Sequence, residues 1–168
     1  MISENIPLQF FIIFLLILNP ACLFTQTAPY QVLIMEIMAD PFPVKGLPEC
    51  EYVELFNRGF TPVDFRGWKL EIGSHTINLA QKTLEPGGRI ILCDASSADQ
   101  FPAQVMPLSL PSILNTGQQL TLKSIDGTII HTVHFSDTWY KNALKANGGW
   151  SLEMIDPENP CGGINNWK

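Results

Sequence analysis

The sequence predicts an all-β sandwich of seven to nine short strands. Three observations predict it. Short apolar or alternating runs recur along the chain, each fenced by Gly, Pro, Asn or Asp. No long stretch holds a capped 3.6-residue period, so no long helix competes. The last alternating run, Trp150 to Ile155, lies almost at the C-terminus. A strand that close to the end satisfies its backbone only by pairing with strands made much earlier, so the fold closes non-locally.

The elements follow in order. Val32 to Met38 reads as a mostly apolar strand broken by Glu36, and Asp40-Pro41-Phe42-Pro43 ends it because proline fixes φ and lacks a ladder donor. Glu51 to Phe56 alternates, with Tyr52 and Glu54 on one face and Val53 and Leu55 on the other; Asn57-Arg58-Gly59 turns the chain. Trp68, Leu70 and Ile72 point inward from the next strand. Gly73-Ser74 then turns into a strand over His75 to Leu79. Glu85-Pro86-Gly87-Gly88 is a turn before Arg89 to Cys93. Ala95 to Asn115 reads as a long irregular crossover anchored by Leu108, Leu110, Ile113 and Leu114. Leu120 to Ser124 and Thr128 to Phe135 flank Asp126-Gly127, the strongest hairpin signal in the chain. Ser136 to Asn147 reads as loop. In the closing strand Trp150, Leu152 and Met154 are expected inside, with Ser151 and Glu153 facing solvent or a loop; Pro157, Pro160, Gly162 and Gly163 end the pairing.

The N-terminus carries the apolar run Phe10 to Leu18, about the length of a signal-peptide core and short of the roughly 20 residues that span a bilayer. Residues 1–9 hold no Lys or Arg. A secretory signal over residues 1–25, cut near Thr25 ahead of Gln26, is the expectation; a buried N-terminal element and a membrane anchor are the alternatives. The domain then covers residues 26–168, one core's worth of chain with no integral span. Export implies an extracellular, cell-surface or periplasmic location. The whole chain has 10 Lys and Arg against 16 Asp and Glu. With no basic patch, nucleic-acid binding lacks its electrostatic driver.

Residues that could carry chemistry are few. Glu36, Asp40, Glu51, Glu54 and Asp64 make the first third rich in carboxylates, but no calcium loop with fixed Asp/Asn spacing is present, and neither a metal site nor a cofactor is expected. The simpler expectation has Glu54 and Asn57 bonding loop backbone. His131 and His134 are three apart in a strand, point to opposite faces and read as surface residues. No nucleophile elbow or phosphate loop occurs, and Cys93 reads as a structural thiol. No catalytic residue is assigned. Among Trp68, Trp139, Tyr140, Trp150 and Trp167, the pair Trp139 and Tyr140 is the partner-binding candidate because it falls in a loop, with a protein or a surface glycan as the partner. Cys50 and Cys161, both in Pro-rich loops, are the expected disulfide, with Cys93 left open as a partner.

Four pieces in order resemble a known family. They are Ile34 to Pro43 (IMEIMADPFP), Glu51 to Asn57 (EYVELFN), Gly67-Trp68-Lys69-Leu70, and Leu84-Glu85-Pro86-Gly87-Gly88. Together they are similar to lamin tail domains, in particular the secreted bacterial type common in Bacteroidetes. The ending Gly149 to Glu153, Pro160-Cys161 and Asn166-Trp167 resembles the tail of those bacterial members. The resemblance implies an immunoglobulin-like β-sandwich and no catalytic activity. Two functional readings follow. The first is an exported, non-catalytic module that mediates attachment or partner binding at the cell surface or envelope. The alternative is an accessory domain cut from a larger exported nuclease, protease or glycan hydrolase, since the bacterial relatives usually continue beyond the Asn-Trp pair.

Overall fold

A computed structural model describes residues 27–168; the expected leader over residues 1–25 lies outside the described residues. Among the described residues eleven strands form two packed sheets and a short ribbon. They are β1 (Val32–Met38), β2 (Tyr52–Asn57), β3 (Val63–Asp64), β4 (Lys69–Ile72), β5 (His75–Asn78), β6 (Thr83–Leu84), β7 (Arg89–Asp94), β8 (Val105–Leu108), β9 (Gln119–Lys123), β10 (Ile129–His134) and β11 (Leu152–Glu153). One sheet runs β11-β1-β2-β7-β8 and the other β10-β9-β4-β5, while β3 and β6 pair as the ribbon. Val53, Leu55, Ile90 and Leu92 from the first sheet meet Leu70, Ile72, Leu120, Leu122 and Ile130 from the second in one buried core. Alternation puts the partner residues of β2 and β7 on the opposite face. There Tyr52, Ile91 and Cys93 join Met38 in a second, smaller cluster, with Phe101 edge-on to Tyr52 at 5.2 Å between ring centroids.

The expected crossover holds more structure than its composition suggests. A 3-10 turn over Ala95–Gln100, capped by the Asp94 carboxylate, lays Ala98 and Phe101 over the second cluster. The chain then returns as β8, parallel to β7. Pro107 is tolerated there because β8 is an edge strand and needs no donor on its outer side. Of the four expected anchors, Ile113 is fully buried and Leu108 and Leu110 pack against the core. Leu114 is exposed, a correction: one step past Ile113 its side chain falls on the solvent face.

β1 is covered on both sides and sits inside the sheet, so each of its edges must be closed. β2 pairs with one edge along its whole length. The other edge is closed piecemeal. β11 supplies Glu153 and Leu152 opposite Glu36 and Ile37, and the Met154 amide donates to the Met35 carbonyl at 2.7 Å. Ahead of β1 the Tyr30 amide donates to the Ile130 carbonyl at 2.7 Å. Between these two, the Ile34 amide donates to the imidazole Nδ1 of His131 at 2.9 Å.

His131 is therefore not a surface residue: it is 2% exposed. From His131 on, β10 alternates regularly, with His131, Val133 and Phe135 buried and Thr132 and His134 exposed, and the slip between Ile129 and His131 adds Ile130 to the buried side. One ring nitrogen accepts from Ile34 and the other bonds the Pro160 backbone, so the ring must be neutral. Burial, opposed by the Pro160 bond, pushes its pKa down from 6.5 to about 4.

The closing strand is shorter than expected. Leu152 and Met154 are buried as the alternation predicts, and Glu153 is exposed. Trp150 and Ser151 depart from the expectation. Trp150 is 39% exposed and Ser151 is buried. Gly148 and Gly149 both take positive φ, so Trp150 leaves a turn rather than entering a ladder. The buried indole at this end is Trp167, 1% exposed. It bridges Met154, while Glu153 and Lys168 exchange backbone bonds at 3.0 and 3.1 Å. Asn166 locks the return: its amide donates to the Asp156 and Asn159 carbonyls at 2.7 Å, and its carbonyl accepts from the Asp156 amide at 2.8 Å.

Two predictions follow from these contacts. Trp167→Ala should cost about 3–5 kcal/mol, as truncation of a buried aromatic does, whereas Trp150→Ala should cost about 1 kcal/mol or less. Urea denaturation of both variants checks the order. The second concerns pH. Between the unfolded pKa of 6.5 and the folded value of about 4, the unfolded state binds the His131 proton and the folded state does not. Stability should therefore fall as pH drops through that window, by on the order of 3 kcal/mol in all. His131→Asn keeps an acceptor and removes the titration. It should flatten this part of the urea midpoint against pH, and an unchanged slope would assign the loss to other groups.

Candidate functional site

Two loops meet at one end of the sandwich. The first runs from Asp40 to Lys45 after β1. The second runs from Ser136 to Trp150 before β11, and it is not the plain loop expected from its composition. Ser136 caps a 3-10 turn over Asp137–Tyr140, and Asn142 caps a single helical turn over Ala143–Ala146, each side chain accepting a backbone amide. The loops touch through glycine. The Gly149 amide donates to the Asp40 carbonyl at 2.7 Å. A Cβ on Gly148 would lie 1.9 Å from the Phe42 carbonyl oxygen, and one on Gly149 would lie 2.0 Å from that of Pro43. Only two glycines allow this backbone-on-backbone seat.

Trp139 and Tyr140, the partner-binding candidates, sit in this assembly but are half-buried. Trp139 packs on Trp167 with ring centroids 6.0 Å apart. The Tyr140 hydroxyl donates to the Trp150 carbonyl at 2.6 Å, and burial pushes its pKa up to about 12. Both therefore cap the core. The apolar side chains that face outward here are Phe42, Val44, Leu144 and Trp150, at 54%, 47%, 79% and 39% exposure. The Lys145 ammonium lies 5.0 Å from the Trp150 ring centroid. The Gly-Gly pair ahead of Trp150 is the signal that could have marked this residue as a turn exit.

The carboxylates of the first third take separate partners. Glu36 accepts from the Tyr52 hydroxyl, Glu51 from Ser112 and the Ile113 amide, Asp64 from Arg66, and Asp40 from the Phe42 amide. Glu54 pairs with Arg89 rather than with loop backbone. Asn57 does hold the loop backbone, donating to the Thr61 and Leu84 carbonyls at 2.9 Å and accepting from the Gly59 amide at 3.0 Å. Register places Glu54, Glu36 and Glu153 side by side across β2, β1 and β11. Burial raises the Glu54 pKa, and the two neighbouring carboxylates add to that, against the lowering by Arg89. Among the described residues no group of three His, Cys, Asp or Glu side chains is placed to hold a metal ion.

The structure does not bring Cys50 and Cys161 together. The Cys161 thiol donates to the Tyr30 hydroxyl at 3.3 Å, ahead of β1, while Cys50 packs into the cluster of Met38 and Cys93 at the far end of that strand. Seven strand residues at about 3.3 Å each separate the two ends, roughly 20 Å, whereas bridged cysteines have Cα atoms within about 7 Å. Cys93 is fully buried, and burial pushes its thiol up to about 11, which keeps it protonated and unreactive at neutral pH. Trp68 is a core residue set edge-on to Phe65 at 5.2 Å.

The glycine seat can be tested directly. Gly149→Ala should cost at least about 2 kcal/mol, because a Cβ meets the Pro43 carbonyl at a φ of +80°. Gly87→Ala, at a φ of +72° with nothing within 4 Å, isolates the backbone part of that cost. Thermal unfolding should show the larger loss for Gly149.

The family model of the lamin tail domain matches residues 25–137, well over half of the chain. No curated protein matches it. The matched span covers β1 through β10 and ends at the start of the second loop, ahead of the closing strand. The match and the two-layer β architecture agree: this chain belongs to the lamin tail domain family, whose domains are immunoglobulin-like and generally act as non-catalytic binding or structural modules.

Proposed function

We propose that the protein is an exported, non-catalytic β-sandwich module that attaches to a component of the cell surface or envelope through the loop end described above. The observation that carries this reading is the set of outward-facing Phe42, Val44, Leu144 and Trp150 on two interlocked loops. Exposed apolar side chains gathered at one end, over a scaffold held by glycine contacts and caps, suit binding by a preformed surface. The Trp139 and Tyr140 pair supports them from beneath. The apolar run Phe10 to Leu18 supports export. Against catalysis, Cys93 is sealed and protonated, and His131 has both ring nitrogens engaged in the core.

Val44→Glu with Leu144→Glu should leave the unfolding temperature nearly unchanged, since both residues are exposed. The double variant should bind cell-envelope preparations at least tenfold more weakly than the native protein, roughly the effect of placing two charges in an apolar contact. Equal binding would remove the loop end from the account. A hydrolytic activity of the purified protein, abolished by one point substitution, would overturn the non-catalytic reading.

A further inference from the structure

The charges around the apolar tips are segregated. Pro41 to Pro48 holds Lys45 and no acid; Thr138 to Leu152 holds Lys141 and Lys145 and no acid. The chain as a whole carries 16 acids against 10 bases. The two loops that the glycine seat presses together, Asp40 to Lys45 and Ser136 to Trp150, hold three lysines and two acids, Asp40 and Asp137. The nearest carboxylates are turned to local work. Asp40 lies against the Gly148 turn and accepts from the Phe42 amide, and Asp137 accepts from the Ser136 hydroxyl.

We propose that this end is a docking surface for an anionic lipid bilayer. Val44 and Leu144 would enter the headgroup boundary, Phe42 and Trp150 would sit at its level, and the three lysines would lie against lipid phosphates. The inference rests on the attachment reading above and names the surface that is bound. Three features favour lipid over the other candidates. Two of the four tips are aliphatic, and Leu144 is the most exposed of them; aliphatic tips gain from entering hydrocarbon, whereas a sugar ring needs a flat aromatic face. The aromatic face of Trp150 is occupied by the Lys145 ammonium. Lysines beside an apolar tip match an anionic headgroup layer, where each basic residue adds to binding and salt weakens it. Of the other exposed apolar residues, Ile125 stands next to Asp126, and Phe60 stands on a separate loop.

Vesicle co-sedimentation with the full chain tests the proposal. The probes are vesicles of phosphatidylcholine alone and vesicles with added phosphatidylglycerol. Any binding by residues 1–26 is common to all variants, so the comparison between variants isolates the loop end. The native chain should bind phosphatidylglycerol vesicles more tightly than neutral ones, and added salt should weaken this. Lys45→Glu with Lys141→Glu and Lys145→Glu should weaken binding to the anionic vesicles by roughly 100-fold. Val44→Glu with Leu144→Glu should weaken it at least about tenfold. Thermal unfolding confirms that each variant is folded. Equal sedimentation of native and variant chains would overturn the proposal, as would equal binding to both vesicle types. If envelope binding is lost in the Val44/Leu144 variant while the native chain ignores vesicles and binds an anionic polysaccharide such as alginate, the lipid surface is wrong and the attachment reading stands.

Discussion

The structure depends on how the second edge of β1 is closed. β1 lies between the two layers' contacts with both sides covered, so an amide left unpaired there would cost the desolvation of a buried donor, about 1–3 kcal/mol. Among the described residues no single strand pairs along that whole edge; β11 covers only two positions of it. The edge is closed instead by the Ile130 carbonyl, the His131 imidazole and the two residues of β11. A histidine side chain thus stands where a ladder carbonyl would stand. It works only as a neutral acceptor, which is why burial among apolar neighbours and the loss of its charge belong to the same arrangement.

This closure determines the rest of the C-terminal segment. His131 also reaches the Pro160 backbone, and Arg58 donates to the Tyr30 and Pro157 carbonyls at 2.8 and 2.9 Å. The tail is held against the start of β1 from both sides. Trp167 then fills the space over Met154 and Trp139. With Trp139 fixed from below, the helical turns over residues 137–146 and the Gly148-Gly149 seat are set at the end of the sandwich, and their apolar tips point away from the core. The surface proposed for attachment is in this sense a by-product of how the first strand is sealed.

Much of the layout was legible because turn chemistry is local. Asp126-Gly127, Gly73-Ser74 and Pro86-Gly87-Gly88 each fix a hairpin or turn through φ alone, and the strands between them fall where alternation puts them. The ribbon of β3 and β6 was not legible: two-residue strands carry no periodicity. β8 was hidden because its proline argues against a strand, and only its place at a sheet edge makes it one. His131 was misplaced because its polarity was read as exposure: alternation puts it on the buried face with Val133 and Phe135, and its ring is satisfied there by the Ile34 amide. Trp150 was misplaced for a related reason: its alternation with Leu152 and Met154 is real, but the glycine turn takes it out of the sheet. At the candidate site the sequence marked Trp139 and Tyr140 as the aromatic pair of a loop, and the structure half-buries both, against Trp167 and the Trp150 carbonyl. The residues that face outward, Val44 and Leu144 among them, lie in segments whose spatial meeting depends on two glycines far from β1 in sequence.

Native-state hydrogen exchange at the Ile34 amide measures the central claim most directly. If His131 seals the edge of β1, the Ile34 amide opens only when the whole domain unfolds, and its exchange free energy equals that of the β2 amides paired with β1. The value should fall in step with global stability as pH drops below 6.5. Exchange of Ile34 at the rate of the exposed loop amides, with β2 still protected, would show that the edge is open and that the histidine does not close it.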